Sequence, residues 1–135
     1  MSNGNSVRLI PLGGLEEIGK NMLLLETEQD ILVVDAGQLF PDEELPGIDL
    51  VIPDFSYLRK KAAKLRAVII THGHEDHTGA LPFLLKEFNL PVYATRLTLG
   101  LIKAKLAEHG LAKKAKLREI KPGQTLNLNS FQVEF

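Results

Sequence analysis

The chain of 135 residues contains no cysteine and no tryptophan. Without cysteine there is no disulfide scaffold and no thiolate-held zinc or iron–sulfur site. No apolar run approaches the ~18 residues that a membrane-crossing helix needs, so no membrane association is expected. Residues 1–6 are polar and lack the apolar core of a signal peptide. They read as a flexible N-terminus, and a cytoplasmic location is the default expectation. Charge of one sign is also missing. Sixteen Lys and Arg against 17 Asp and Glu leave a net charge of -1, which excludes a uniformly basic nucleic-acid coat protein.

What is present is an ordinary globular composition, 44% hydrophobic and 24% charged. The length is that of one domain. The near-zero net charge hides an asymmetry. Residues 1–56 carry 2 basic side chains against 11 acids, and residues 96–121 carry 8 against 2. A second basic cluster is Arg59, Lys60, Lys61, Lys64 and Arg66. Such clusters either attract a polyanion or form a solvated face.

Strands are expected at Val7–Pro11, Asn21–Thr27, Asp30–Val34, Ala67–Ile70, Pro91–Ala94, Lys116–Ile120, Thr125–Leu128 and Phe131–Phe135. Helices are expected over 55–64 behind an Asp54 cap, from Gly79 to about Phe88, and over Arg96–His109. Residues 38–53, with Pro41, Pro46, Gly47 and Pro53, read as a long irregular loop of the kind that is usually functional. Strands, then strand–helix alternation, then strands again indicate a layered α/β fold.

Three of the four histidines, His72, His74 and His77, fall within six residues, with Asp76 among them. At this composition three given positions are all His roughly three times in 100,000, so chance is a poor account. Neutral imidazole and carboxylate suit zinc or manganese. In an extended loop His72 and His74 project to one side and can grip one ion, while Asp76 and His77 can face a second. Two such ions would polarise a phosphoryl or carbonyl oxygen and hold a bridging hydroxide. Gly73 is read as freeing the backbone to fold the histidines inward, and Gly79 as allowing close packing of the helix start. The competing reading is a polar turn with Asp76 capping the helix. Glu75 reads as a surface or supporting residue. His109, near a helix C-terminus, is read as structural.

Asp35 ends an apolar strand, where an acid is costly unless hydrogen-bonded. It is either a group that orients the histidine loop or part of a simple turn. Gln38, beside it, is read as standing outside the motif. The glycines 13, 14 and 19 do not fit a dinucleotide fingerprint.

The spacing His72-x-His74-x-Asp76-His77 after a short apolar strand resembles the signature of the metallo-β-lactamase superfamily. The flanking runs Pro11–Asn21, Val33–Gly37, Leu39–Glu43, Gly47–Pro53, Thr71–Leu85 and Thr95–Lys103 resemble the ribonuclease J family, of the β-CASP group. The resemblance implies an αββα sandwich, of which residues 7–135 are the N-terminal part. The rest of that domain and the β-CASP domain would lie beyond position 135. It implies a metal-dependent 5′-to-3′ exoribonuclease with endonuclease activity, in messenger RNA decay and ribosomal RNA maturation, commonly dimeric or tetrameric. The family's histidine pair falls on His72 and His74, its Asp-His pair on Asp76 and His77, and its early acid on Asp35. Asp76 is also the catalytic candidate, although nothing assigns the general acid. No base-reading element for RNA is visible. Half a sandwich would leave one sheet face without its partner. The other functions weighed are hydrolysis of a thioester or lactam, and a non-catalytic module binding RNA or partner subunits.

Overall fold

The computed structural model describes residues 6–15, 19–39, 47 and 50–135. Residues 1–5 of the expected flexible terminus, and most of the loop 38–53, lie outside the described residues.

Six strands form one sheet in the order β1 (Arg8–Gly13), β2 (Met22–Glu26), β3 (Ile31–Val34), β4 (Leu65–Ile69), β5 (Pro91–Ala94) and β6 (Lys116–Glu119). The first three run antiparallel. From β3 onward the pairing is parallel. Parallel neighbours need a crossover, and helices supply it. These are α1 (Ser56–Lys60) with a 3-10 turn at Ala62–Lys64, then α2 (Glu75–Thr78) with α3 (Leu81–Glu87), and then α4 (Arg96–Glu108). A hairpin of β7 (Thr125–Leu128) and β8 (Phe131–Glu134) makes a second sheet.

Strand β3 reads Ile-Leu-Val-Val because both faces of the sheet are covered there. Ile31 and Val33 join the larger core with Leu24, Leu58, Val68, Leu81, Leu84, Ile102 and Leu106. Leu32 turns to the other face, with Ala67 and Ile69, where Leu128, Phe131 and Val133 of the hairpin pack. Fully burying a Leu or Ile side chain contributes about 1.5–3 kcal/mol. The hairpin leaves an apolar cleft of about 410 Å³ on that face, lined by Leu25, Val34, Ile69, Val133 and Phe135 among others.

The strands fall where alternation and β-branched residues put them, within one or two residues. The helix expected over 55–64 is interrupted. It stops at Lys60, and Ala62–Lys64 tighten into the 3-10 turn. The turn brings Lys61 and Lys64 onto Glu26, at 3.2 and 2.5 Å. Asp54 accepts from Ser56 N–H (2.8 Å) and Ser56 Oγ (2.6 Å), and the helix begins one residue beyond the expected start. The helix expected from Gly79 to about Phe88 is α3, and the histidine segment before it forms a further short helix, α2.

Candidate metal centre

Parallel pairing sets the C-terminal ends of β3 and β4 side by side, with Val34 opposite Ile69. The next residues are therefore neighbours, and Asp35 N–H donates to Ile69 carbonyl at 2.8 Å. Side chains just past the carboxyl ends of adjacent parallel strands converge where ligands commonly bind. Here those side chains are Asp35, Thr71 and His72.

Asp35 is buried and adopts the left-handed conformation, φ 63°. Its carboxylate accepts three hydrogen bonds of 2.7 Å, from Thr71 N–H, Thr71 Oγ1 and His77 Nδ1. Because a carboxylate only accepts, His77 Nδ1 carries the hydrogen, and in the neutral ring Nε2 is left with the lone pair. The His72 and His77 rings lie 3.9 Å apart between centroids. The histidine loop then enters α2 at His74, which stands at the N-cap without a side-chain cap bond. Asp76 lies in the first turn of α2 and makes no cap bond, so a simple capping turn does not account for it.

Asp76 is held by Asn21. Asn21 N–H and Nδ2 both donate to the Asp76 carbonyl at 3.0 Å, and Nδ2 lies 3.4 Å from Asp76 Oδ2 and from His77 Nε2. The Asp35 loop presses on the same turn. A side chain at Gly37 would collide with the Asp76 carbonyl, and one at Gly79 would collide with Gln38. Gln38 reaches Glu75, which lies between the motif residues His74 and Asp76. Its N–H donates to Glu75 carbonyl at 3.0 Å and its Nε2 to Glu75 Oε2 at 3.0 Å. Glu75 also pairs with Lys105 of α4. Gly73 has no positive φ, so left-handed freedom is not its use. A side chain there would come within 2.5 Å of Leu101 Cδ1 on α4.

Ligand atoms of His72, Asp76 and His77 all lie within 4.8 Å of one another. Two imidazoles and a carboxylate are a donor set that fits zinc or manganese. His74 is exposed and stands edge-on to His72 at 4.8 Å between centroids, outside that group. Thus the described structure gathers His72, Asp76 and His77 in one group, with the His74 ring beside His72. His109 caps α4 and stacks edge-on against Phe83, away from the centre. Nothing in the sequence singles out Asn21 or Thr71, and Gln38 reads there as standing outside the motif. Their place beside Asp35 and the histidines arises from strand ends and loops far apart in the chain.

The structure thus carries a His/Asp cluster at the strand ends of a six-stranded sheet, with helices on one face and a hairpin on the other. The chain belongs to the metallo-β-lactamase superfamily, whose family model matches residues 16–131. More particularly, it is 48% identical over 131 residues to ribonuclease J 1 of Streptococcus pyogenes, covering 97% of this chain and 23% of that protein. It is 45% identical over 133 residues to ribonuclease J2 of Bacillus subtilis, covering 98% and 24%. With ribonuclease J of Helicobacter pylori it shares 56% identity over 108 residues, covering 80% and 16%. The chain thus spans about a quarter, or less, of the length of these curated relatives. Among solved structures, the metallo-β-lactamase SMB-1 in complex with mercaptoacetic acid matches with a TM-score of 0.61 at 18% identity, covering 93% of this chain and 48% of that one. At that identity the likeness shows the fold.

Proposed function

We propose that residues 7–135 form the N-terminal portion of the metallo-β-lactamase domain of a cytoplasmic, metal-dependent ribonuclease. The parent protein would cleave RNA as a 5′-to-3′ exonuclease with endonuclease activity, in decay and ribosomal RNA maturation, as a dimer or tetramer. The observation that carries this reading is the convergence of His72, Asp76 and His77 beside the Asp35 carboxylate. Likeness to several ribonucleases J gives it a substrate class.

In this reading His72, His74, Asp76 and His77 hold two divalent ions, zinc or manganese, and Asp35 orients the ring of His77. When bound, such ions neutralise charge on a phosphodiester and supply an activated water at neutral pH. Asp76 serves as ligand and as the catalytic carboxylate of this segment. Four side chains are few for two ions, since catalytic zinc commonly has three protein ligands. The chain by itself is therefore expected to bind metal weakly and turn over RNA poorly. In the segment 96–121, Lys105 is the one base with an ion pair among the described residues, so the others are available to a polyanion.

The test uses the longer protein that carries this chain. Wild type should hydrolyse 5′-monophosphorylated RNA and leave a thioester intact. His74→Ala and Asp76→Ala should each lose RNA cleavage while circular dichroism stays native. Full RNA cleavage by both variants would overturn the assignment, and thioester turnover without RNA cleavage would move it to another substrate.

A further inference from the structure

The hydrogen-bond directions around Asp35 reach further than His77. The carboxylate can only accept, so the Thr71 hydroxyl must spend its single hydrogen on Asp35 Oδ2, 2.7 Å away. That leaves Thr71 Oγ1 with lone pairs alone toward His72 Nδ1, at 3.2 Å. Two lone pairs do not bond, so the contact requires the hydrogen on His72 Nδ1. His72 is then in the same tautomer as His77, whose Nδ1 donates directly to Asp35. The two rings, 3.9 Å apart between centroids, would both turn Nε2 lone pairs outward from one shared carboxylate.

We infer that Thr71 is a positioning residue: its hydroxyl relays the acceptor character of Asp35 to His72, so one carboxylate sets the tautomer of two histidines. The step from tautomer to metal binding rests on the metal centre proposed above; the tautomer itself does not. A hydrogen bond to the far ring nitrogen is what fixes the orientation and basicity of a ligating histidine, and losing such a partner typically costs 10–100-fold in metal affinity. The alternative is that the Thr71 hydroxyl only satisfies Asp35, while His72 chooses its tautomer freely.

The experiment compares the wild-type chain with Thr71→Val and Thr71→Ser, all labelled with nitrogen-15. Val keeps the shape and the Thr71 N–H bond to Asp35 Oδ1 but removes the hydroxyl. Ser keeps the hydroxyl. At about pH 8, where an ordinary histidine is neutral, long-range proton–nitrogen correlation spectra report which ring nitrogen is protonated, with no metal present. His72 should be protonated on Nδ1 in the wild type and in Thr71→Ser, and should shift toward Nε2 in Thr71→Val. His77 should be unchanged in all three, since its bond to Asp35 is direct. Titration with Mn2+, read by line broadening, should show affinity lowered roughly 10–100-fold in Thr71→Val and restored in Thr71→Ser. An Nε2-protonated His72 in the wild type would overturn the relay even if Thr71→Val failed to fold. So would an unaltered His72 in a folded Thr71→Val. If the tautomers behave as expected and Mn2+ binds neither the three chains nor the longer protein that carries the wild-type chain, the relay stands and the metal reading falls.

Discussion

Asp35 sits in a backbone conformation that costs a non-glycine residue of the order of 1 kcal/mol. The strain is retained because the kink aims one carboxylate at both Thr71 and His77. Asn21 does the complementary work on Asp76 from the other side. Replacing Asn21 with Ala removes its donors to the Asp76 carbonyl and carboxylate. The expected outcome is a loss of about 1–3 kcal/mol of stability. Divalent-metal affinity should also fall about tenfold, read by calorimetry on the longer protein. Unchanged affinity would show that Asp76 needs no such brace. At this scale the sequence displayed the ligand candidates, because histidines so closely spaced are improbable by chance. It could not display their supports. Asn21 is 55 residues from Asp76, and its bond to a backbone carbonyl leaves no pattern to read.

The strands were legible because burial imposes alternation on β2 and a continuous apolar run on β3. The short helices were less so. Lys61 and Lys64 are drawn to the buried Glu26, and that tertiary demand cuts the 55–64 helix where local propensity would extend it. The β7–β8 hairpin shows another long-range tie. Its turn residue Ser130 donates N–H (3.0 Å) and Oγ to the buried Asp30 at the β2–β3 turn, where Arg66 also pairs at 2.5 Å. Ser130→Ala should cost about 1–3 kcal/mol, since the lost bond goes to a charged acceptor. Amide hydrogen exchange in β7 and β8 should speed up while β2–β5 stay protected. Uniform exchange across both sheets would mean that the hairpin is held by its apolar side chains alone.

For the molecule as a whole, the basic cluster at 59–66 is largely paired within the chain. Arg59 pairs with Glu87, Lys61 and Lys64 with Glu26, and Arg66 with Asp30. Four of its five charges thus bond to acids of the same chain, and the polyanion reading passes to the 96–121 segment. Burial pushes the Glu26 carboxyl up, but Lys64, Tyr57 and Lys61 outweigh it and hold it at about 2, against an ordinary 4.5. The hydroxyl of Ser130 and then Arg66 hold Asp30 at about 2, against 3.8. Both folded values lie below the unfolded ones, so the unfolded chain takes up protons first as pH falls. Their stabilisation is complete above about pH 5 and is lost progressively toward pH 2, roughly 2–3 kcal/mol apiece. Urea unfolding at pH 7, 5 and 3 should show the midpoint steady over the first interval and falling over the second. A midpoint unchanged at pH 3 would contradict the two buried pairs.

The tie between Asp30 and Ser130 also has a consequence in time. The two residues are 100 positions apart. Chains grow on the ribosome at about 5–20 residues per second, so Ser130 is added roughly 5–20 s after Asp30. Arg66 is added after 36 residues and serves as the interim counter-charge. The nascent sheet must therefore carry its acidic turn with one partner only, until the last hairpin is made and closes the far side.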